Sequence, residues 1–221
     1  MRRVVVILAL LALALPMGAW ADIIATNKFG NITFSDMAGT NLMGTIGSTT
    51  VSSMGSQLKT YGAFAATAGH ALGIVNFTTG VLTSGSVFSG GMFAGGGVFD
   101  IIANSAFAKQ ISGCTSCMGT LALFTGSFSG PVSWVLDSVS HQTRVYTLSG
   151  AISGMTWNGY STTGYTSQTI SILNSTQGAK GIGHINMGTT SLSTPEPGTL
   201  GLLGTGLVGV AGLFRRKLVR S

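Results

Sequence analysis

The chain has 221 residues, 45% of them hydrophobic and only 7% charged, with 34 glycines and two cysteines. Its formal net charge of +6 is concentrated at the ends, in Arg2 and Arg3 and in Arg215, Arg216, Lys217 and Arg220. Between them, residues 22–194 carry Lys28, Lys59, Lys109, Arg144 and Lys180 against Asp22, Asp36, Asp100 and Asp137, leaving +1. That balance excludes a nucleic-acid-binding body, which needs clustered basic residues, and the apolar content excludes a disordered one.

The first 21 residues read as a signal peptide with a helical apolar core. Met1-Arg2-Arg3 is a basic start, residues 4–15 are apolar, and Pro16 ends the run. Ala19 and Ala21 supply the small residues that signal peptidase inspects, so cleavage is expected after Ala21. An apolar run of about 12 residues is too short to span a bilayer.

Residues 22–187 read as one exported, β-rich domain. Residues 22–194 hold 27 glycines and 49 serines and threonines, a composition that disfavours helix and suits strand. About 170 residues suffice for a single compact core. The expectation is an all-β fold of roughly ten short strands, an antiparallel sandwich or barrel with short glycine-rich hairpins; a small β-solenoid is the alternative. The polar stretch 35–60 resists assignment. Phe88, Phe93, Phe99 and Phe128 recur in glycine-flanked units, and Gly90-Gly91 suggests a two-residue hairpin turn.

Cys114-Thr115-Ser116-Cys117 offers three readings. A redox site needs a thioredoxin-like pattern that is absent, and a zinc site needs further ligands that His70, His141 and His184 do not supply nearby. A disulfide across a turn between strands 107–112 and 118–128 is favoured in an exported chain. Within 118–128 the alternation loses phase between Leu123 and Phe124, which predicts a bulge. Val132, Trp134 and Leu136 alternate in a strand opened by Pro131, Tyr146 and Leu148 in a second that Gly150 ends, and Ile170 and Ile172 in a third.

Candidate chemistry is thin. Four scattered aspartates offer no carboxylate pair for glycoside hydrolysis, and no nucleophile elbow occurs. His141, near Asp137, reads as a surface or turn histidine. We expect no enzyme, no catalytic residues, no metal and no cofactor. Trp157, Tyr160 and Tyr165 are candidate sugar-stacking residues, because aromatic faces pack on sugar rings; the competing reading puts Trp134 and Trp157 in the core.

The C-terminus carries the strongest signal. Residues 188–198 read as a tether with Pro195, Glu196 and Pro197, and 199–214 as a marginal transmembrane helix, about 24 Å against a core of about 30 Å. Gly204, Gly206 and Gly209 match a dinucleotide fingerprint by chance, since no strand precedes them. Residues 215–221 form a basic tail whose Arg215, Arg216 and Lys217 would stay cytoplasmic, leaving residues 22–194 outside.

Together the Pro-Glu-Pro triplet, the glycine-rich apolar segment and the basic cluster resemble the PEP-CTERM sorting signal over about 195–217. The resemblance implies export in an exopolysaccharide-producing Gram-negative bacterium. It also implies processing by an exosortase, a membrane-embedded transpeptidase acting near Pro195, Glu196 and Pro197. Such a protein is held in the inner membrane facing the periplasm before processing, then reaches the cell surface or extracellular matrix. The leading expectation is a structural matrix protein, and the alternative is a carbohydrate-binding module of an exopolysaccharide matrix.

Overall fold

The computed structural model describes residues 22–35, 45–113, 119–141, 143–173 and 183–193. The signal segment, both cysteines, the Pro-Glu-Pro triplet and the C-terminal apolar and basic segments lie outside the described residues. Thirteen strands among the described residues fall along eight staves. They are β1 (Ile23–Lys28) with β2 (Gly30–Phe34), β3 (Val51–Tyr61), β5 (Gly73–Thr78) with β6 (Leu82–Ser86), and β7 (Gly90–Phe93) with β8 (Gly96–Ala103). Then come β9 (Leu121–Phe128) with β10 (Val132–Val139), β11 (Thr143–Thr156), β12 (Ser161–Leu173) and β13 (Gly183–Ser193). The short β4 (Phe64–Ala65) folds back on the end of β3.

Each stave pairs antiparallel with the next in chain order, and the last pairs with the first through Ile23 opposite Leu192 and Ile32 opposite Gly183. The sheet is therefore a closed up-and-down barrel, which removes most of the unpaired edges of an open sheet. Ile32 pairs with Ser53, Ser53 with Phe77, Phe77 with Phe99, Phe99 with Gly126, and Gly126 with Gly154. Gly154 pairs with Thr162, beside the Thr163–Ser193 pair. One circuit so returns to the opposite end of the first stave, and this stagger is the strand tilt that lets eight strands close. Of the expected architectures the barrel is the one formed; a solenoid is excluded because every ladder is antiparallel.

The barrel interior holds two kinds of packing. Phe77, Phe99, Phe124 and Phe128 form an aromatic cluster with ring centroids 5.8–6.3 Å apart. Towards the end that holds the β6–β7 hairpin, Trp134 stacks on Tyr146 at 4.5 Å and meets Phe93 edge-on. On the opposite wall a polar cluster of Asn27, Ser56, Thr166, Gln168 and Thr190 interrupts the apolar interior. Asn27 Nδ2 donates to Ser56 Oγ (2.6 Å) and Gln168 Oε1 (2.8 Å), and Gln168 Nε2 donates to Thr166 Oγ1 (2.9 Å). Buried amides are tolerated there because they satisfy one another.

Several sequence expectations hold. Val132 and Trp134 point inward from β10, Tyr146 and Leu148 from β11, and Ile170 and Ile172 from β12. The bulge falls where the phase broke: Ile101 pairs with Phe124 but Ile102 with Ala122, so Leu123 is the extra residue. Four expectations are corrected. The thirteen strands join into eight staves that are longer than the short strands expected, β11 having 14 residues and running on through Gly150. A Cβ on Gly150 would stand 3.1 Å from the Phe128 ring and 3.2 Å from Val132, so this glycine makes room for core side chains and does not end the strand. Residues 87–89 form the β6–β7 turn, and only Gly90 of the glycine pair has positive φ, so the two-residue turn is not formed.

Third, the proposed strand at 107–112 is the helix α1 (Ser105–Ser112). Asn104 caps it by accepting from Phe107 N at 2.9 Å, and Gly113 ends it at φ 67. Phe107 packs against Tyr61 and Phe64, closing that end of the barrel. Fourth, residues 188–193 belong to β13 and not to the tether. Thr190 and Leu192 face inward, and pairing with β1 supplies the hydrogen bonds a free tether would leave to water.

Candidate functional site: the outer wall and the exit rim

The β11–β12 hairpin builds the site. Gly159 N donates to Thr156 O (2.8 Å), and Thr156 N donates to Tyr160 O (2.9 Å). With Gly159 at φ 81, this is a three-residue loop closed by a glycine bulge. Trp157 N donates to Leu123 O at 3.1 Å, which fixes the loop against β9. This bond and the two that close the loop hold the backbone that carries the Trp157 and Tyr160 side chains.

Trp157, Tyr160 and Tyr165 are 44%, 59% and 51% exposed. The competing core reading holds for Trp134 alone, whose Nε1 donates to Val87 O at 2.8 Å inside the barrel. Trp157 and Tyr160 sit at the hairpin tip. Tyr165 lies four residues along β12 on its outward face, so the three do not form one cluster.

Around Tyr165 the register assembles a pattern that single strands do not reveal. Ser133, Ser149, Ser167, Thr189, Thr26 and Thr60 pair in succession across six staves, all facing outward. Neighbouring strands are about 4.8 Å apart, so the hydroxyls form a row at that spacing. A second row, Ser127, Ser153, Thr163 and Ser193, runs on the other side of Tyr165. Tyr165 itself is flanked by Ala151 and Ser191. Each hydroxyl both donates and accepts, and neither row contains an ionisable group. In β12 the alternation was legible only around Ile170 and Ile172; the alignment of hydroxyls across strands was not.

Charged groups lie elsewhere. Arg144 stacks its guanidinium 3.5 Å above the Phe88 ring, and Tyr146 Oη donates to Phe88 O at 2.7 Å, which clamps the β6–β7 turn. Burial raises the Tyr146 pKa, opposed by the Arg144 charge. Asp137 Oδ2 accepts from Thr147 Oγ1 at 2.6 Å, and His141 is exposed at the β10–β11 turn, as expected. Asp100, on the outward face of β8, has a buried Oδ1 without a hydrogen-bond partner; burial raises its pKa and a Thr125 hydrogen bond opposes this. Among the described residues no three His, Cys, Asp or Glu side chains converge. No described helix is long and apolar enough to cross a membrane.

The family model of the PEP-CTERM protein-sorting motif matches residues 193–217. No curated protein and no solved structure matches the chain. The molecule is a closed β-barrel protein carrying a PEP-CTERM sorting motif. It is an exported protein, membrane-anchored before an exosortase-type enzyme processes it. The motif begins at Ser193, the residue at which β13 ends.

Proposed function

We propose that the barrel is the delivered load: a non-catalytic structural protein of the cell surface or extracellular matrix, released from its membrane anchor by processing near Pro195, Glu196 and Pro197. The observation that carries this reading is the junction at Ser193, where the sorting motif follows directly on the strand that closes the barrel. What is delivered is then one closed body, with a charge-poor hydroxyl wall suited to a hydrated matrix. Mass spectrometry of the C-terminal peptide from the native surface fraction tests it. The expected terminus lies near Pro195, Glu196 and Pro197; recovery of peptides through 198–215 means the anchor is kept and the matrix reading falls.

A second reading, a carbohydrate-binding module, is favoured by the hydroxyl rows on both sides of Tyr165. Its ring offers a stacking face and the rows offer partners for sugar hydroxyls. Affinity electrophoresis in gels containing a neutral polysaccharide tests it. Tyr165→Ala should abolish retardation with an unchanged far-UV spectrum, and equal retardation of the variant would leave the wall without a binding role.

A further inference from the structure

The exposed Trp and Tyr rings are not spread evenly over the barrel. Among the described residues, the three exposed ones are Trp157, Tyr160 and Tyr165, while Trp134, Tyr61 and Tyr146 are buried. Trp157 and Tyr160 sit at one end of the barrel, and it is the end from which the chain leaves. Thr163, close to the start of β12, pairs with Ser193, and Thr162 Oγ1 donates to the Ser193 carbonyl. Met155, the last residue of β11 to pair with β12, and Ile24 on β1 add exposed apolar surface to the same rim. The opposite end exposes Val139 and Leu173 but no described Trp or Tyr.

Only five residues, 194–198, separate Ser193 from the apolar segment that starts at Thr199. Fully extended they reach about 17 Å. The polar headgroup zone on one side of a bilayer is itself about 5–8 Å deep. A rim on so short a leash is held at the membrane surface whatever its composition, and indole and phenol rings are the side chains that prefer that zone. Chain length and ring placement point the same way independently.

We propose that the membrane-anchored precursor stands on the bilayer by its exit end, with Trp157 and Tyr160 seated among the phospholipid headgroups. This rests on the anchored-precursor reading. It leaves Tyr165 and the hydroxyl wall to the side, in water, and it holds the sorting triplet at the membrane surface where a membrane-embedded enzyme works.

The test uses the signal-cleaved full chain reconstituted in vesicles containing phosphatidylcholine brominated near the headgroup end of its acyl chains. Trp134 is shielded in the core, so Trp157 is the reporter. At least a twofold loss of tryptophan emission is expected, absent in Trp157→Phe and reduced in Tyr160→Ala. Unquenched Trp157 in protein that resists carbonate extraction overturns the seat while leaving the anchor intact. Release by carbonate removes the anchor reading first and the seat with it. A Trp157 response to added neutral polysaccharide but not to brominated lipid makes the rim a glycan site and also overturns the seat.

Discussion

Tyr61 shows how a single atom can be a liability in an otherwise well-packed interior. Its ring meets Phe107 at 6.2 Å, yet its hydroxyl is buried with no partner. Burial pushes its pKa up to about 12. An unpaired buried hydroxyl costs about 1–3 kcal/mol, so Tyr61→Phe should gain about 1 kcal/mol at neutral pH. The pH dependence has a definite sign. The folded pKa lies above the unfolded value of about 10, so the wild type keeps full stability below pH 10 and loses it as pH rises towards 12. Tyr61→Phe should therefore flatten the alkaline limb, and melting temperatures at pH 8 and 11 will show whether it does. Gln168 is the opposite case, a buried polar group that is fully used. Gln168→Leu removes the acceptor of one Asn27 Nδ2 bond and the amide donor to Thr166 Oγ1, leaving Asn27 only Ser56 and Thr166 only its threonine neighbours, so a loss of about 2–3 kcal/mol is expected in urea denaturation. A loss under about 1 kcal/mol would mean water replaces the amide. Gly188 supports the network by its absence of a side chain, since a Cβ there would fall 1.9 Å from Gln168 Oε1.

At the scale of elements, α1 depends on one side chain that does two jobs. Asn104 Oδ1 caps the helix, and its Nδ2 donates to Ala71 O at 2.7 Å, tying the helix start to the loop before β5. Asn104→Ala should cost about 1–2 kcal/mol, and Asn104→Asp, which keeps the cap and loses the tie, should cost less. Equal losses for the two would assign the effect to the tie alone; thermal unfolding of the pair decides it. This helix is also where local signals and overall composition disagree. The Asn104 cap and the Gly113 stop were both visible, but the surrounding glycine- and Val/Ile-rich composition argued for strand. Strands whose two faces differ in polarity were legible from β10, β11 and β12, and so was the bulge at Leu123, because two consecutive inward apolar residues break a period of two. Glycines were the main source of error: Gly150 looked like an end and is a gap for Phe128. Of the candidate site, Asn158-Gly159 is the local turn signal that accounts for the exposure of Trp157 and Tyr160. The hydroxyl rows have no such signal, because they exist only once Ser149, Ser167, Thr189 and Thr26 are set in register.

At the scale of the whole barrel, the decisive contact is the one between the first and last of the described strands. Ile23 through Asn27 pair with Leu192 through Gly188, and no local pattern in 188–193 announces it: the stretch is polar, short and followed by prolines. Physically it is a stave like the others, with Thr190 and Leu192 buried and Ser193 Oγ donating to Asp22 Oδ1 at 3.2 Å. Two fragments separate the domain end at Met187 from the end at Ser193. Residues 22–193 retain closure and should give a monomer that unfolds in one cooperative transition. Residues 22–187 leave β1 and the first half of β12 with unpaired edges and remove two inward side chains. An open sheet with free edges recruits other chains, so this fragment should associate in size-exclusion chromatography and lose its sharp transition by circular dichroism. If 22–187 were instead a monomer melting with 22–193, the last six residues would be a tether after all. The leash to the membrane would then be about twice as long, and the exit rim would no longer be forced against the bilayer.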